Sequence, residues 1–517
     1  MNASVSESPN YQYPSVSPAA RVTLINGQFA DVIAGRYYPA GTRLILQDGM
    51  IAAMPGSQGE LDTTSVDEPS ADVVIDLQGK HAVPGLFNTH AHLQIITGMI
   101  ARGELRQRQI AKNLSACLEC GVTNIRDTLC WDLRQNRSIT EQVSRGELLA
   151  PRIHQAVHVS PLGGTYAPRH TILNRVLFSM LAMPTPSYKS PDSGVVTFRR
   201  NASVEEVRGA VDRAIDERGA EMIKFCDQPE HLMSYKPGAA VMTEVQLEAA
   251  VDQARKRGIP TTIHNVTVEG FRQSLRAGVT SLAHIPFDQE LADADLELFS
   301  DAETSIEPTL TVGYYLSWRM KGNPWCDDPE IERLDLLRDS TYQTIVEESW
   351  LPEVQKSFAA QPEALKEGSM KMLGLFEMSQ PFHYHASVIP MGGKNFQRIY
   401  EAGGRERSGC GNDATVSSCS QAAIHLEMEM FDFVLNRNGK RVFDGKDALR
   451  IATIQSARAM GLDKQFGSIE TGKIADLVVL DGDPFEDFRW VGSRVAALFM
   501  DGKLVINNCG LEVKSND

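Results

Sequence analysis

Several things are scarce in this chain, and each scarcity removes a class of function. No apolar run in the 517 residues approaches the ~20 that a membrane-spanning helix needs. The opening segment MNASVSESPNYQYPSVSPAA has neither the basic start nor the apolar core of a secretory signal. Its Ser, Pro and Asn content reads as a flexible tail over residues 1–20, and the expected location is the cytoplasm. Cysteine is sparse and scattered, with eight in the chain, which excludes a disulfide framework. The lone CxxC of Cys117 and Cys120 has no second pair and no nearby histidines, so it reads as two packed thiols rather than a zinc or redox motif. Positive charge is also in deficit. With 51 Lys and Arg against 66 Asp and Glu, a net −15, neither nucleic acid nor an anionic membrane is an expected partner. A small-molecule substrate is.

What remains is ordinary globular usage, 42% hydrophobic and 23% charged, in a chain long enough for one barrel of ~250 residues with an accessory domain and insertions. Residues 21–83 are short β-type runs (VTLINGQFADV, TRLILQDGMIAAM, ADVVIDLQGKHAV) broken by Gly, Asp and Pro, the signature of small antiparallel sheets. The same texture returns in KIADLVVLDGDP and VAALFMDGKLVINN near the other end, where Asp-Gly marks turns. One β-sandwich built from residues 21–83 and 463–508 is therefore expected, with an α/β domain over 84–462 inserted between its halves and a short tail over 509–517.

The middle alternates strand and helix. VTNIRD (122–127), RIHQAVHV (152–159), MIKFC (222–226) and PTTIH (260–264) are apolar strands, each preceded by a helical pattern, as parallel crossovers require. Ser203 and Thr243 stand where N-caps belong, and Gly219 and Gly258 where helices stop. The fold class that follows is a (β/α)8 TIM-type barrel. In such a barrel all strand carboxyl ends meet at one rim, where active sites sit.

Ligand-type residues collect at those ends. His90 and His92 in PGLFNTHAHL share one face of the first strand. A second pair with the same spacing, His383 and His385, shows that spacing alone decides nothing; it follows Pro381 in an irregular region, where a surface or lid position fits better. Lys224 lies in the fourth strand, His264 and His284 end the fifth and sixth, and Asp413 in GCGNDA belongs to the eighth. Each has a bland reading alone: a satisfied core histidine, a turn aspartate, a snorkelling lysine. Their joint arrival at one rim is what points to a metal centre.

These motifs, PGLFNTHAH, GVTNIRD, EMIKF, IHN, AGVTSLAHI, GCGNDA and the closing ATIQSARAMGLDKQFGSIETGKIADLVVLDGDP, resemble the amidohydrolase superfamily of metal-dependent hydrolases over about residues 21–508. They are most similar to its imidazolonepropionase-like and Xaa-Pro and Xaa-Arg dipeptidase-like branch. The resemblance implies two divalent ions, zinc first, with manganese, cobalt or nickel as alternatives. His90, His92 and Asp413 would hold one ion, His264 and His284 the other, and Lys224, carbamylated by carbon dioxide, would bridge them. It further implies cleavage of a C–N bond in an amide, dipeptide-like, carbamate or urea substrate by metal-activated water, with Asp413 as general base and then acid. Homo-oligomers are common among such relatives, so one is expected here. A mononuclear deaminase or hydrolase using His90, His92, His264 and Asp413 is the alternative, and a non-catalytic scaffold a remote third.

The chain departs from the pattern at three places. SPLGGTYAPRH puts Thr165 where relatives often carry a histidine, with His170 five positions later; both are expected near substrate. Arg405, Glu406 and Arg407 precede the eighth strand where relatives are apolar, implying a shifted strand boundary or charges near the rim. The seventh strand, SIEPTL, is expected to end near Leu310, leaving a long insertion over about 311–400. Its aromatics, including Tyr314, Tyr315, Trp318, Trp325 and Trp350, suggest a lid, with Tyr314, His383 and His385 expected to contact substrate. His425 and Glu427 read equally as support for the site or as helix surface.

Overall fold

The computed structural model describes residues 21–58, 73–93, 103–164, 166–167, 169, 187–226, 241–312, 350–359, 371–372, 376–377, 388–414 and 420–515. The chain enters as seven short strands: β1 (Val22–Ile25), β2 (Gln28–Asp31), β3 (Arg36–Tyr37), β4 (Leu44–Gln47), β5 (Met50–Ala53), β6 (Val73–Asp76) and β7 (His81–Pro84). β5 and β6 alternate in burial, as a strand with one buried face does, whereas β1, β4 and β7 each bury three of four residues.

After Gly85 the chain passes directly into the barrel. Seven parallel strands run round it: β8 (Leu86–Ala91), β9 (Val122–Asp127), β10 (Arg152–Pro161), with β11 (Val195–Phe198) paired to the carboxyl half of β10, then β12 (Met222–Cys226), β13 (Thr261–His264), β14 (Ser281–Ala283) and β15 (Ser305–Glu307). The eighth position is filled by 407–414, which forms isolated parallel bridges rather than a continuous strand. It still closes the barrel. Ile306 N–H donates to the Arg407 carbonyl at 2.8 Å and Gly409 N–H to Ile306; on the other side Thr89 N–H donates to Cys410 at 2.8 Å and Asp413 N–H to His90 at 2.9 Å. Gly411 permits this approach, because a Cβ there would lie 2.6 Å from His90 Cβ and 2.7 Å from its nitrogen.

The outer helices follow the sequence signals. Val204–Asp216 opens with a capping box between Ser203 and Glu206, and Glu244–Lys256 with one between Thr243 and Gln246, each satisfying two orphan N–H groups. Val207, Ala210, Val211 and Ala214 turn into the core. Two expectations are corrected. β15 stops at Glu307, not near Leu310, since Pro308 has no N–H to donate and Thr309 takes φ 49°. Of the two readings of Arg405–Arg407, a shifted strand boundary or charges near the rim, the second is not met: they lie at and before the start of the closing segment. Arg405 pairs with Asp447 at 2.9 Å, and Arg407 stacks on Phe299 at 4.3 Å and donates to the Ala302 and Phe299 carbonyls. These charges therefore stand at the amino end of the barrel, away from the rim.

Within 311–400 the described elements are the helix Pro352–Ala359, the two-residue strands β16 (Lys371–Met372) and β17 (Phe376–Glu377), the π-helical turn Val388–Gly392, and the helix Gly393–Glu401 that continues from it. That last helix belongs to the barrel's outer layer: Phe396 and Ile399 are fully buried, and Asn395 donates to the Pro286 and Gln289 carbonyls. Trp350, counted among the aromatics of a lid, packs instead in the core. The chain then returns as β18 (Leu477–Leu480), β19 (Ala497–Met500), β20 (Lys503–Asn507) and β21 (Val513–Ser515). Two sheets result, β21-β6-β1-β4-β5 and β20-β19-β18-β7-β2-β3, each mixing strands from both ends of the chain. Leu24, Phe29, Leu46, Ile75, Leu477 and Phe499 fill the core between them. No helix among the described residues is long and apolar enough to cross a membrane.

Candidate active site

The period-2 alternation of a strand puts His90 and His92 on one side of β8, His90 within it and His92 just past its end. Lys224 occupies the middle of β12, opposite His158 on β10 and Thr262 on β13. His264 ends β13, His284 follows β14 at once, and Asp413 sits in the closing segment. All but His264, which is half-buried, are buried. Six side chains from four strands and the closing segment thus face one volume.

Their distances are short. His92 Nε2 lies 2.9 Å from Asp413 Oδ1 and His90 Nε2 3.6 Å from the same oxygen. His284 Nδ1 lies 3.9 Å from Oδ2. The ring centroids of His90 and His284 are 4.9 Å apart, and those of His264 and His284 are 4.4 Å apart. One donor atom from each of His90, His284 and Asp413 falls within 4.8 Å of the others, the donor set that divalent ions such as zinc take. Despite the 2.9 Å approach of His92, Asp413 Oδ1 has no hydrogen bond among the described residues, and neither has Lys224 Nζ. Buried polar atoms left in this state cost free energy unless a ligand satisfies them. The residues present therefore fit a bound cation.

The electrostatics agree. Burial, then the charge of Lys224 and the neighbouring imidazoles, holds the His90 pKa well below its ordinary 6.5, so it stays the neutral lone-pair donor that a metal requires. Burial and the nearby Arg126 guanidinium bring Lys224 down to about 8. His284 and Asp413 have φ of 73° and 46°, a left-handed conformation that costs a non-glycine residue of order 1–3 kcal/mol and that clusters at functional sites.

Sequence reasoning did not single out the charges beneath this volume. Arg126 of β9 and Glu307 of β15 are both fully buried, and the guanidinium donates to Glu307 Oε2. Burial raises the Glu307 pKa although Arg126 opposes it. A charged residue within each of two otherwise buried strands was the available signal. Asn88 and Asn412 form another link between the first and last strand positions: Asn88 Nδ2 donates to Asn412 Oδ1 at 2.9 Å and to the Gln421 carbonyl. Glu427 proves to be support rather than helix surface. It is fully buried, and its carboxylate accepts from Leu310 N–H, Thr311 N–H and the Thr311 hydroxyl at 2.6–2.9 Å, fixing the turn after β15. His425 is buried beside it. Thr165, His170, Tyr314, His383 and His385 lie outside the described residues.

Residues 81–505 match the amidohydrolase family. The chain belongs to that family. Over 68 residues it is 35% identical to the imidazolonepropionase of Picrophilus torridus, a match covering 13% of this chain and 17% of that relative. The curated relatives are matched over less than a fifth of their own lengths. In fold the amidohydrolase is similar to a Xaa-Pro dipeptidase crystallised with methionine in its active site, with a TM-score of 0.63 at 20% identity, covering 94% of this chain and 99% of that one. It is equally similar to A. niger ochratoxinase, with a TM-score of 0.63 at 17% identity over 95% and 96%. This amidohydrolase thus belongs to a family of hydrolytic enzymes that generally bind divalent metal ions.

Proposed function

We propose that this amidohydrolase hydrolyses the C–N bond of a small amide, dipeptide-like, carbamate or urea substrate at a centre of two divalent ions, zinc foremost. His90, His92 and Asp413 would hold one ion, His264 and His284 the second, and Lys224, as its carbamate, would bridge them. The observation that carries this reading is the 2.9 Å approach of His92 Nε2 to an Asp413 oxygen that forms no hydrogen bond among the described residues. Two side chains stand this way when they share one cation.

Bound ions supply Lewis acidity toward the scissile carbonyl and lower the pKa of water. The chain's own residues do the rest. The Asp413 carboxylate takes a proton from the attacking water and delivers it to the leaving nitrogen, so one group serves as base and then acid. Lys224 must be neutral to add to carbon dioxide. A pKa near 8 leaves a useful neutral fraction at physiological pH, unlike the ordinary ~10.4. The strained backbone at His284 and Asp413 holds both groups in place before substrate arrives, so their ordering cost is met in folding.

The test pairs metal analysis of protein purified without chelator with a turnover screen of N-acyl amino acids, dipeptides, aryl carbamates and ureas. Bound ions with turnover of at least one class are expected; metal-free protein that hydrolyses these substrates would refute the reading. The mononuclear reading differs in one respect: it leaves metal content and activity unchanged on Lys224→Ala.

A further inference from the structure

His158 lies in the buried carboxyl half of β10 and is itself only 1% exposed. The strand register sets it directly opposite Lys224 of β12, and Lys224 opposite Thr262 of β13. Residues in register on neighbouring strands leave the sheet on the same side, so the three side chains form one row across the barrel interior. That row is short of partners. Neither ring nitrogen of His158, nor Lys224 Nζ, nor Thr262 Oγ1 has a hydrogen bond among the described residues, and buried polar atoms in that state call for a ligand or a modification. We infer that His158 is a positioning residue for Lys224: its ring N–H donates to a carbamate oxygen once Lys224 has taken up carbon dioxide, and so fixes the bridging group. This rests on the carbamate assigned to Lys224 in the proposed centre.

The modification changes what the lysine offers. The neutral Nζ amine attacks dissolved carbon dioxide, its lone pair forms the N–C bond, one C=O electron pair moves onto oxygen, and the nitrogen gives up a proton to water. The tip gains a carbon, two acceptor oxygens and a negative charge. An unmodified ammonium has only donors, and the imidazole has a lone pair that could take one of them, yet no such bond forms. A carbamate brings the acceptors that the row lacks.

Charge points the same way. Burial, then the Lys224 cation, brings His158 down to about 3 against the pull of the Lys224 backbone, so the imidazole is neutral, with one N–H to give. The Arg126 guanidinium also bears on Lys224 and opposes its positive form. Surroundings that resist a cation here favour an anion. Thr262 is the lesser candidate, because its hydroxyl is attached at Cβ, close to the strand, whereas imidazole nitrogens reach further toward the end of a lysine chain. The His158 ring is also held: Tyr166 packs on it edge-on at 5.3 Å and reaches His264 Nδ1 at 3.2 Å, and the His158 main-chain N–H donates to the Gly194 carbonyl at 2.9 Å.

The experiment titrates full-length apoprotein, freed of carbon dioxide and then given zinc, with 13C-bicarbonate, and follows by NMR the carbamate resonance that is absent from Lys224→Ala. Circular dichroism verifies folding. His158→Phe keeps an aromatic ring but no N–H, and should need about 10–100-fold more bicarbonate for half occupancy. His158→Asn and His158→Gln keep an N–H, one at each depth of the ring, and at least one should titrate within a few-fold of wild type. If His158→Phe does not fold, His158→Leu takes its place in the same titration. A purely structural role would lower the melting temperature of the variant and leave the bicarbonate midpoint of the folded protein unmoved; an unmoved midpoint overturns the inference and leaves the metal centre standing. Equal weakening in the Phe, Asn and Gln variants also overturns it, since shape rather than the N–H would then matter. Wild-type protein with no resonance assignable to Lys224 would overturn both the inference and the bridged centre.

Discussion

The imidazole of His92 and the carboxylate of Asp413 meet at 2.9 Å, although one comes from the first barrel strand and the other from the segment that closes the barrel. The meeting depends on closure: Asp413 N–H donates to the His90 carbonyl at 2.9 Å, which fixes the carboxylate beside His90 of β8 and His92 just past its end. The site and the last seam of the barrel are thus one piece of structure.

Because Gly411 lies in that seam, Gly411→Ala should damage stability and site together. The added Cβ would meet His90 Cβ at 2.6 Å, and overpacking of this kind costs about 1–3 kcal/mol. Thermal denaturation should show a lower Tm, and titration a weaker zinc affinity. Gly209→Ala is the control of opposite sign. It lies in the helix Val204–Asp216, with only the flexible Arg213 guanidinium nearby at 3.6 Å, and should gain about 0.5–1 kcal/mol.

Lys224 titrates near 8, and only its neutral amine reacts with carbon dioxide. Since a lowered lysine pKa means that the proton leaves as pH rises through it, bicarbonate-dependent reactivation of the metal-stripped enzyme should accelerate from pH 7 to 9 and level above. Lys224→Ala should hold one ion fewer than wild type and lose at least about 100-fold in kcat/KM. Metal analysis and kinetics of the variant check this directly.

Arg126 and Glu307 form a fully buried pair, so breaking one side should cost more than removing both. Arg126→Met strands a buried carboxylate and should cost about 3–5 kcal/mol. The double variant Arg126→Met, Glu307→Leu should recover most of that in denaturant titrations. A double-variant loss equal to the sum of the Arg126→Met and Glu307→Leu losses would show that the partners do not interact.

Burial lifts the Glu427 carboxyl to about 7 from its ordinary 4.5, against the pull of its three hydrogen bonds. The folded state therefore keeps this proton after the unfolded state has lost it. The contribution is complete below pH 4.5 and is lost as pH rises to about 7, a change of about 3 kcal/mol for this shift. Compared with Glu427→Gln, wild-type protein should lose stability across that window and run parallel above it. Denaturant midpoints at pH 4.5, 6, 7 and 8 give the comparison, and a constant difference at all four would contradict it.

The barrel and the six facing residues could be read from the chain because strand-then-helix order places every strand end at one rim, so His90, Lys224 and His264 are brought together by topology alone. The supporting groups could not. Thr128, Tyr166 and Thr309, whose hydroxyls lie 3.3, 3.2 and 2.6 Å from Nδ1 of His92, His264 and His284, stand at no fixed spacing from those imidazoles, and hydroxyl residues after strands are common in turns. Arg126 and Glu307 pair across the barrel, a contact that no local pattern encodes. The closing segment was harder to read for a different reason: it pairs only through isolated bridges, so the charges of Arg405–Arg407 could not be placed at either end of the barrel from the sequence.

The most direct test of the central claim is the metal stoichiometry of full-length protein purified without chelator. Two divalent ions per chain are predicted for wild type, falling to one in Lys224→Ala. A wild-type chain that holds no ion, or whose ion count does not change when Lys224 is removed, would contradict the two-ion centre.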